Sequence, residues 1–139
     1  MRRDLRPEDL GDLLERPLLA VLATHRADGG VLLSPVWHEW RDGGFNVVTS
    51  GDDVKVRHLR RDPRASIVLA ESDLPYRGIE VRADATISAA GDIARRIATR
   101  YVGVGRADTY ATSDDVVIRL EPGRLRTWDF ADDFPEART

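Results

Sequence analysis

Residues 49–59 read Thr49-Ser50-Gly51-Asp52-Asp53-Val54-Lys55-Val56-Arg57-His58-Leu59. Of the 21 basic residues in the chain, 20 are arginine, and Lys55 is the one lysine. A chain biased this far toward arginine uses it wherever either cation serves. The single lysine therefore points to a task for a compact, hydrated ammonium, such as point contact with a phosphate. Around it, Phe45 to Thr49 reads as a strand, Gly51 as a sharp turn, and Asp52 or Asp53 as the cap of a helix that Pro63 stops. Strand, turn and helix start outline an anion site, with backbone N–H groups and the positive end of the helix dipole facing whatever lies over the turn. Lys55 and Arg57 fall in or near that first turn. Two readings stand: a phosphate site, or an ordinary solvated face over Val54, Val56 and Leu59. Asp52 and Asp53 argue against a bare anion hole.

Outward from this stretch the chain is mostly strand. Ala27-Asp28-Gly29-Gly30 and Arg41-Asp42-Gly43-Gly44 repeat an Asp-Gly hairpin signal, so Leu18 to Arg26, Val31 to Trp40 and Phe45 to Ser50 are expected as an antiparallel meander. Pro7 to Glu15 reads as a short helix with Leu10, Leu13 and Leu14 on one face. After the helix from Asp53 to Asp62, Ala65 to Ala70 makes a strand, and Ile79 to Ile87 alternates apolar and polar as a half-buried strand does. Asp92 to Val102 is a second helix, its arginines Arg95, Arg96 and Arg100 expected on the solvent face. Val116 to Leu120 and Leu125 to Trp128 end the pattern, bent at Pro122-Gly123, and the tail 131–139 is expected to be loose. About six antiparallel strands with an inserted helix suit a small barrel in a mainly β fold with flanking α-helices.

With 139 residues, the chain is expected to form a single domain, 1–139. Charged residues make up 32%, yet the net charge of −3 is mixed along the chain, which disfavours nonspecific nucleic-acid binding. The absence of cysteine removes disulfides and thiol chemistry. Met1-Arg2-Arg3-Asp4 does not lead into an apolar run, so a soluble, cytoplasmic protein is expected, without membrane association. His25, His38 and His58 are scattered without ligand spacing, so no metal site is expected. Gly103-Val104-Gly105-Arg106 follows a helix and lacks a third glycine, and reads as a turn.

A second stretch carries chemistry. In Ser34-Pro35-Val36-Trp37-His38-Glu39-Trp40, a proline inside a strand removes a ladder N–H, and two tryptophans offer flat apolar surface. Paired with Lys55 and Arg57, this makes an apolar wall for a ring and a cationic helix start for a phosphate.

Taken together, Thr24-His25-Arg26-Ala27-Asp28-Gly29, Pro35-Val36-Trp37, Thr49-Ser50, the run from Lys55 through Asp62-Pro63 to Ser66, and Tyr76-Arg77-Gly78-Ile79-Glu80-Val81-Arg82 resemble the pyridoxamine 5'-phosphate oxidase-like split β-barrel proteins. The similarity spans Leu18 to Trp128 and is strongest to the actinobacterial branch that uses the deazaflavin coenzyme F420. The resemblance implies a six-stranded antiparallel Greek-key barrel, built as a homodimer with a flavin or deazaflavin at each subunit interface. It implies that Lys55 and Arg57 hold the coenzyme phosphate beside Thr49, Ser50 and Val56. Pro35, Val36 and Trp37 would line the ring, with Tyr76, Arg77 and Trp128 reaching in from the partner chain.

Val54 stands where the FMN-using oxidases carry arginine, and the C-terminal tryptophan-arginine signature for pyridoxal phosphate is missing, so vitamin B6 oxidation is not implied. The implied activity is hydride transfer from reduced F420 to a small conjugated acceptor, with His38 and Tyr76 as candidate proton donors. FMN is the alternative coenzyme, and a non-catalytic flavin, deazaflavin or haem carrier is the alternative of another class.

Overall fold

A computed structural model describes residues 1–135. Among them ten strands build two antiparallel sheets. The strands are β1 (Arg2–Arg3), β2 (Ala20–His25), β3 (Val31–Val36), β4 (His38–Arg41), β5 (Gly44–Ser50), β6 (Arg64–Ala70), β7 (Gly78–Asp84), β8 (Thr86–Ala89), β9 (Asp115–Leu120) and β10 (Arg124–Asp129). The first sheet runs β1-β10-β7-β6-β2-β3 and the second β4-β5-β9-β8. Helix α1 spans Val54–Arg61, α2 spans Asp92–Val102 and α3 spans Val104–Ala107.

The expected ring of six strands is thus replaced by sheets of six and four, and neither ladder closes on itself. The cause lies at two corners. The single strand expected from Val31 to Trp40 leaves the first sheet at Trp37 and enters the second as β4, and the alternating strand from Ile79 to Ile87 does the same at Ala85. Each crossing takes one residue, so the apolar alternation passes through it: Ile79, Val81 and Ala85 are buried and Ile87 is half-buried. Pro35 is tolerated because β3 is an edge strand that pairs only with β2.

Between the sheets lies one core, with Leu22, Phe45, Val47, Ile67, Ile79, Ile118 and Leu120 all fully buried. Helix α1 starts where Asp53 accepts the Lys55 N–H at 3.0 Å, ends before Pro63, and turns Val56 and Leu59 into this core. The helix expected from Pro7 to Glu15 is instead two 3-10 turns, Pro7–Leu10 and Leu13–Glu15, interrupted at Gly11. Gly11 has φ 63°, and a Cβ there would lie 2.8 Å from an Arg77 guanidinium nitrogen that bonds the Leu10 carbonyl. Leu10, Leu13 and Leu14 still face the core.

Helix α2 has the expected bounds, but two of its three arginines do not face solvent. Arg96 forms a two-pronged ion pair with Glu39, itself 5% exposed, and Arg100 donates to the carbonyls of His38, Glu15 and Arg16. Both fasten α2 to the barrel; Arg95 alone lies exposed beside Asp108. The expected turn after Gly103 contains the single helical turn α3. The tail is tied down as far as it is described: Ala131–Asp133 forms a 3-10 turn, with Arg2 bridged to Asp132 and the chain's amino terminus to Asp133, both at 2.9 Å. Residues 136–139 lie outside the described residues.

Candidate functional site

Three elements expected to form the site converge. Pro35, Val36 and Trp37 at the end of β3, Val48 and Thr49 on β5, and Lys55 on the first turn of α1 line one open depression of about 250 Å³. Strand β3 supplies the apolar side, because its edge position allows Pro35 and leaves that residue exposed. Strand β5 and α1 supply the polar side, because the Gly51-Asp52 turn folds the helix start back onto the strand. Val48, absent from the sequence reading as a site residue, joins them from β5.

The cationic corner is not bare. Lys55 Nζ lies 2.9 Å from an Asp53 carboxylate oxygen, and Thr49 Oγ1 donates to that same oxygen at 3.1 Å. Lys55 also donates to Thr49 Oγ1 at 3.5 Å, and its side chain is only 12% exposed. The Asp53 carbonyl accepts the Val56 and Arg57 N–H groups. Asp53 is therefore both helix cap and resident anion, in place of the open set of N–H groups that strand, turn and helix start suggested. Burial pushes its carboxyl up, but the hydrogen bonds and charge of Lys55 outweigh burial and hold it below the ordinary aspartate range.

Around this centre the other residues divide. Ser50 is exposed and donates to Asp52 at 2.6 Å. Arg57 is exposed on the outer face of α1, whereas the Val56 side chain is fully buried and serves the core instead of a ligand. Tyr76, Arg77 and Trp128 lie elsewhere: β7 and β10 stand at the opposite end of the first sheet from β3, with β6 and β2 between. Tyr76 is 41% exposed on a loop, its ring edge-on to Phe134 at 5.9 Å. Trp128 lies flat on Gly78, where a Cβ would come within 2.1 Å of the indole, and Arg126 covers the ring at 4.8 Å. Gly78 is required by this close approach.

Arg77 departs from the role that the resemblance implied. Its guanidinium bonds Glu71 at 2.6 and 2.8 Å, Asp12 at 2.9 Å and the Leu10 carbonyl at 2.8 Å. All three of its nitrogens are engaged within its own chain, so its role is to lock the loop that carries Tyr76. His38 is also corrected. It is fully buried between Phe45 and Tyr101, with neither ring nitrogen hydrogen-bonded, and burial together with the Arg100 charge pushes its pKa down to about 4. A neutral imidazole sealed in the core cannot deliver a proton to a bound acceptor.

Sequence reasoning missed the aromatic support of Trp37. Tyr101 on α2 stacks on it at 4.9 Å and 5°, and Tyr110 approaches it edge-on at 5.4 Å and 61°. The Tyr101 hydroxyl accepts the His38 N–H at 3.0 Å and donates to the Leu18 carbonyl at 2.7 Å, which fixes that ring. Tyr101 and Tyr110 follow Trp37 by more than sixty residues, and no local pattern links them.

Comparisons with known proteins bear on the fold and the family. The conserved hypothetical protein Rv2991 from Mycobacterium tuberculosis is 26% identical, with a TM-score of 0.76 over 91% of this chain and 86% of that one. A protein described as an F420 reductase is 25% identical, with a TM-score of 0.66 over 86% of this chain and 98% of that one. A putative pyridoxamine 5'-phosphate oxidase from Listeria innocua shares the fold at 16% identity, with a TM-score of 0.69 over 86% of this chain and 95% of that one. No curated protein matches. The family model described as pyridoxamine 5'-phosphate oxidase spans residues 7–129, from the first 3-10 turn through β10, and so takes in every strand but β1, together with the depression between β3, β5 and α1: the chain belongs to the pyridoxamine 5'-phosphate oxidase family.

Proposed function

We propose that this chain is a cytoplasmic oxidoreductase of the deazaflavin-using, actinobacterial branch of its family, taking coenzyme F420 and reducing a small conjugated acceptor. The observation that carries the reading is the meeting of Pro35, Val36 and Trp37 with Thr49 and Lys55 in one depression. The donor set fits a ring coenzyme that carries a phosphate: flat apolar groups on one side, an ammonium and a hydroxyl on the other. When bound, the reduced coenzyme supplies a hydride to the acceptor. The chain's own part is to bind and orient. Lys55 and Thr49 take the phosphate as Asp53 yields the ammonium, Arg57 adds a second positive charge from the outer face of α1, and Trp37 fixes the ring side. The similarity to an F420 reductase favours the deazaflavin over FMN.

The reading includes a homodimer, in which Tyr76 and Trp128 approach the depression of the other subunit. Its support is an apolar outer face on β2 and β3 and the segment before them: Leu19, Val31 and Leu33 are 58%, 49% and 65% exposed, with Pro35 beside them. Light scattering is expected to give twice the chain mass, and Leu33→Asp to give the monomer; a wild-type monomer would remove the dimer.

Titration with F420 and separately with FMN, followed by fluorescence, tests the coenzyme. Saturable F420 binding is expected, and preference for FMN or binding of neither would overturn it. In the same assay Lys55→Ala should weaken binding by about 1.5–3 kcal/mol, the scale of one hydrogen bond to a charged group. Unchanged affinity in that variant removes the phosphate assignment.

A further inference from the structure

Trp37 is held more firmly than a wall residue needs to be. Tyr101 covers one of its faces in parallel, and the Tyr101 hydroxyl is itself tied to two backbone groups. Arg100, the preceding residue, pins the same turn of α2 to three carbonyls. Against this fixed indole stands Tyr110, on the 3-10 turn Asp108–Tyr110, crossed at 61° and still 54% exposed. The next residue, Ala111, packs in a small cluster with Val48, and Val48 lines the depression. The turn that carries Tyr110 is thus joined to the depression twice, through Trp37 and through Val48. An exposed ring crossed over a fixed indole offers flat apolar surface against which a planar group can lie.

We propose that Tyr110, with Trp37 crossing it, forms the wall of an acceptor subsite at the mouth of the depression, and that its ligand is a planar conjugated ring without a phosphate. The two rings meet at an angle, so a flat molecule gains a face contact from one and an edge contact from the other. The anionic part of a larger ligand belongs to Lys55, which lines the same depression as Pro35, Val36 and Trp37. This rests on the coenzyme reading for its meaning in turnover, but the surface itself exists without coenzyme.

The test is equilibrium binding of menadione, a planar quinone, by quenching of tryptophan fluorescence in protein without coenzyme and in protein saturated with F420. Saturable quenching is expected in wild type, with affinity about tenfold weaker in Tyr110→Ala and restored in Tyr110→Phe. F420 affinity should be the same in all three. Because Tyr110 lies on an exposed turn, unchanged circular dichroism is expected for both variants. Equal menadione affinity in wild type and Tyr110→Ala, or no saturable quenching, would overturn the subsite. Menadione binding that depends on Tyr110 in a protein that takes up neither F420 nor FMN would uphold the subsite and remove the coenzyme reading instead.

Discussion

Glu71→Ala is expected to destabilise the protein by about 3–5 kcal/mol, the range for removing one partner of a buried ion pair. Glu71 stands just past β6, and its carboxylate is only 2% exposed. It accepts from Arg16 at 2.7 Å, from the Arg77 guanidinium at 2.6 and 2.8 Å, and from the Arg77 backbone N–H at 2.7 Å. One carboxylate thereby holds together the N-terminal turns, the end of β6 and the start of β7. It also closes the loop on which Tyr76 adopts φ 58°, a left-handed conformation that a tyrosine keeps only when its surroundings hold it. Removal leaves two guanidinium groups without their shared anion. A thermal melt should show the midpoint falling by about 10 °C or more for a chain of this size; Glu71→Gln, which keeps the shape and two acceptor contacts, should lose less. A fall of only a degree or two in Glu71→Ala would show that Asp12 alone suffices to hold Arg77.

The same carboxylate sets an acid limit. Burial raises its pKa, but the hydrogen bonds and charge of Arg77, with Arg16, lower it further, so the group sits below the ordinary glutamate value of 4.5. Its contribution is present above that value and is lost as pH falls through the folded-state pKa.

The second large effect belongs to His38 and falls in a different pH window. In the folded protein its pKa is pushed down to about 4 from the ordinary 6.5, because the ring is buried and faces the Arg100 charge, with the Leu18 backbone and then Glu39 opposing. Between pH 6.5 and about 4 the unfolded chain takes up a proton that the folded chain refuses. Stability therefore declines as pH falls across that window, by about 3 kcal/mol in all. His38→Leu should flatten the decline in urea unfolding measured from pH 7 to pH 4, and should gain a little at pH 7, because two unpaired ring nitrogens are removed from the core. His58, lowered first by burial and then by the charges of Arg61, Arg26 and Arg57, and bonded to Thr24 at 3.0 Å, slopes in the same direction and remains in the variant. An unchanged pH profile in His38→Leu would show that the folded imidazole accepts its proton as readily as the unfolded one.

The local parts of the site were legible in the sequence. A cap at Asp52 or Asp53 and the stop at Pro63 bounded α1, the lone lysine marked its first turn, and Pro35 marked a strand short of one ladder N–H; these bring Pro35, Val36, Trp37, Thr49 and Lys55 together. What was not legible depends on pairing across the chain. Arg96 and Arg100 sit on the polar side of an amphipathic pattern, yet Glu39 and three backbone carbonyls wait for them on the barrel. Arg77 follows an exposed tyrosine in a motif that invites a ligand role, but Glu71 and Asp12 claim it first. Asp53 was one of two residues read as the cap, and only its distance to Nζ shows that it is also the counterion of Lys55.

The two corners at Trp37 and Ala85 impose a rule on how the chain's length can vary. Side chains alternate through both corners without a change of phase, so each crossing is already as short as a peptide chain allows. One residue added or removed there would reverse every side chain of the strand that follows, turning the β4 or β8 face that meets the core outward. At the Trp37 corner it would also swing the indole away from Tyr101. Length is therefore free to drift in the hairpin at 27–30, but is frozen where one strand becomes the next. The same parity that makes the two sheets look like continuous strands in the sequence is what keeps the ring side of the depression in register with its cationic side.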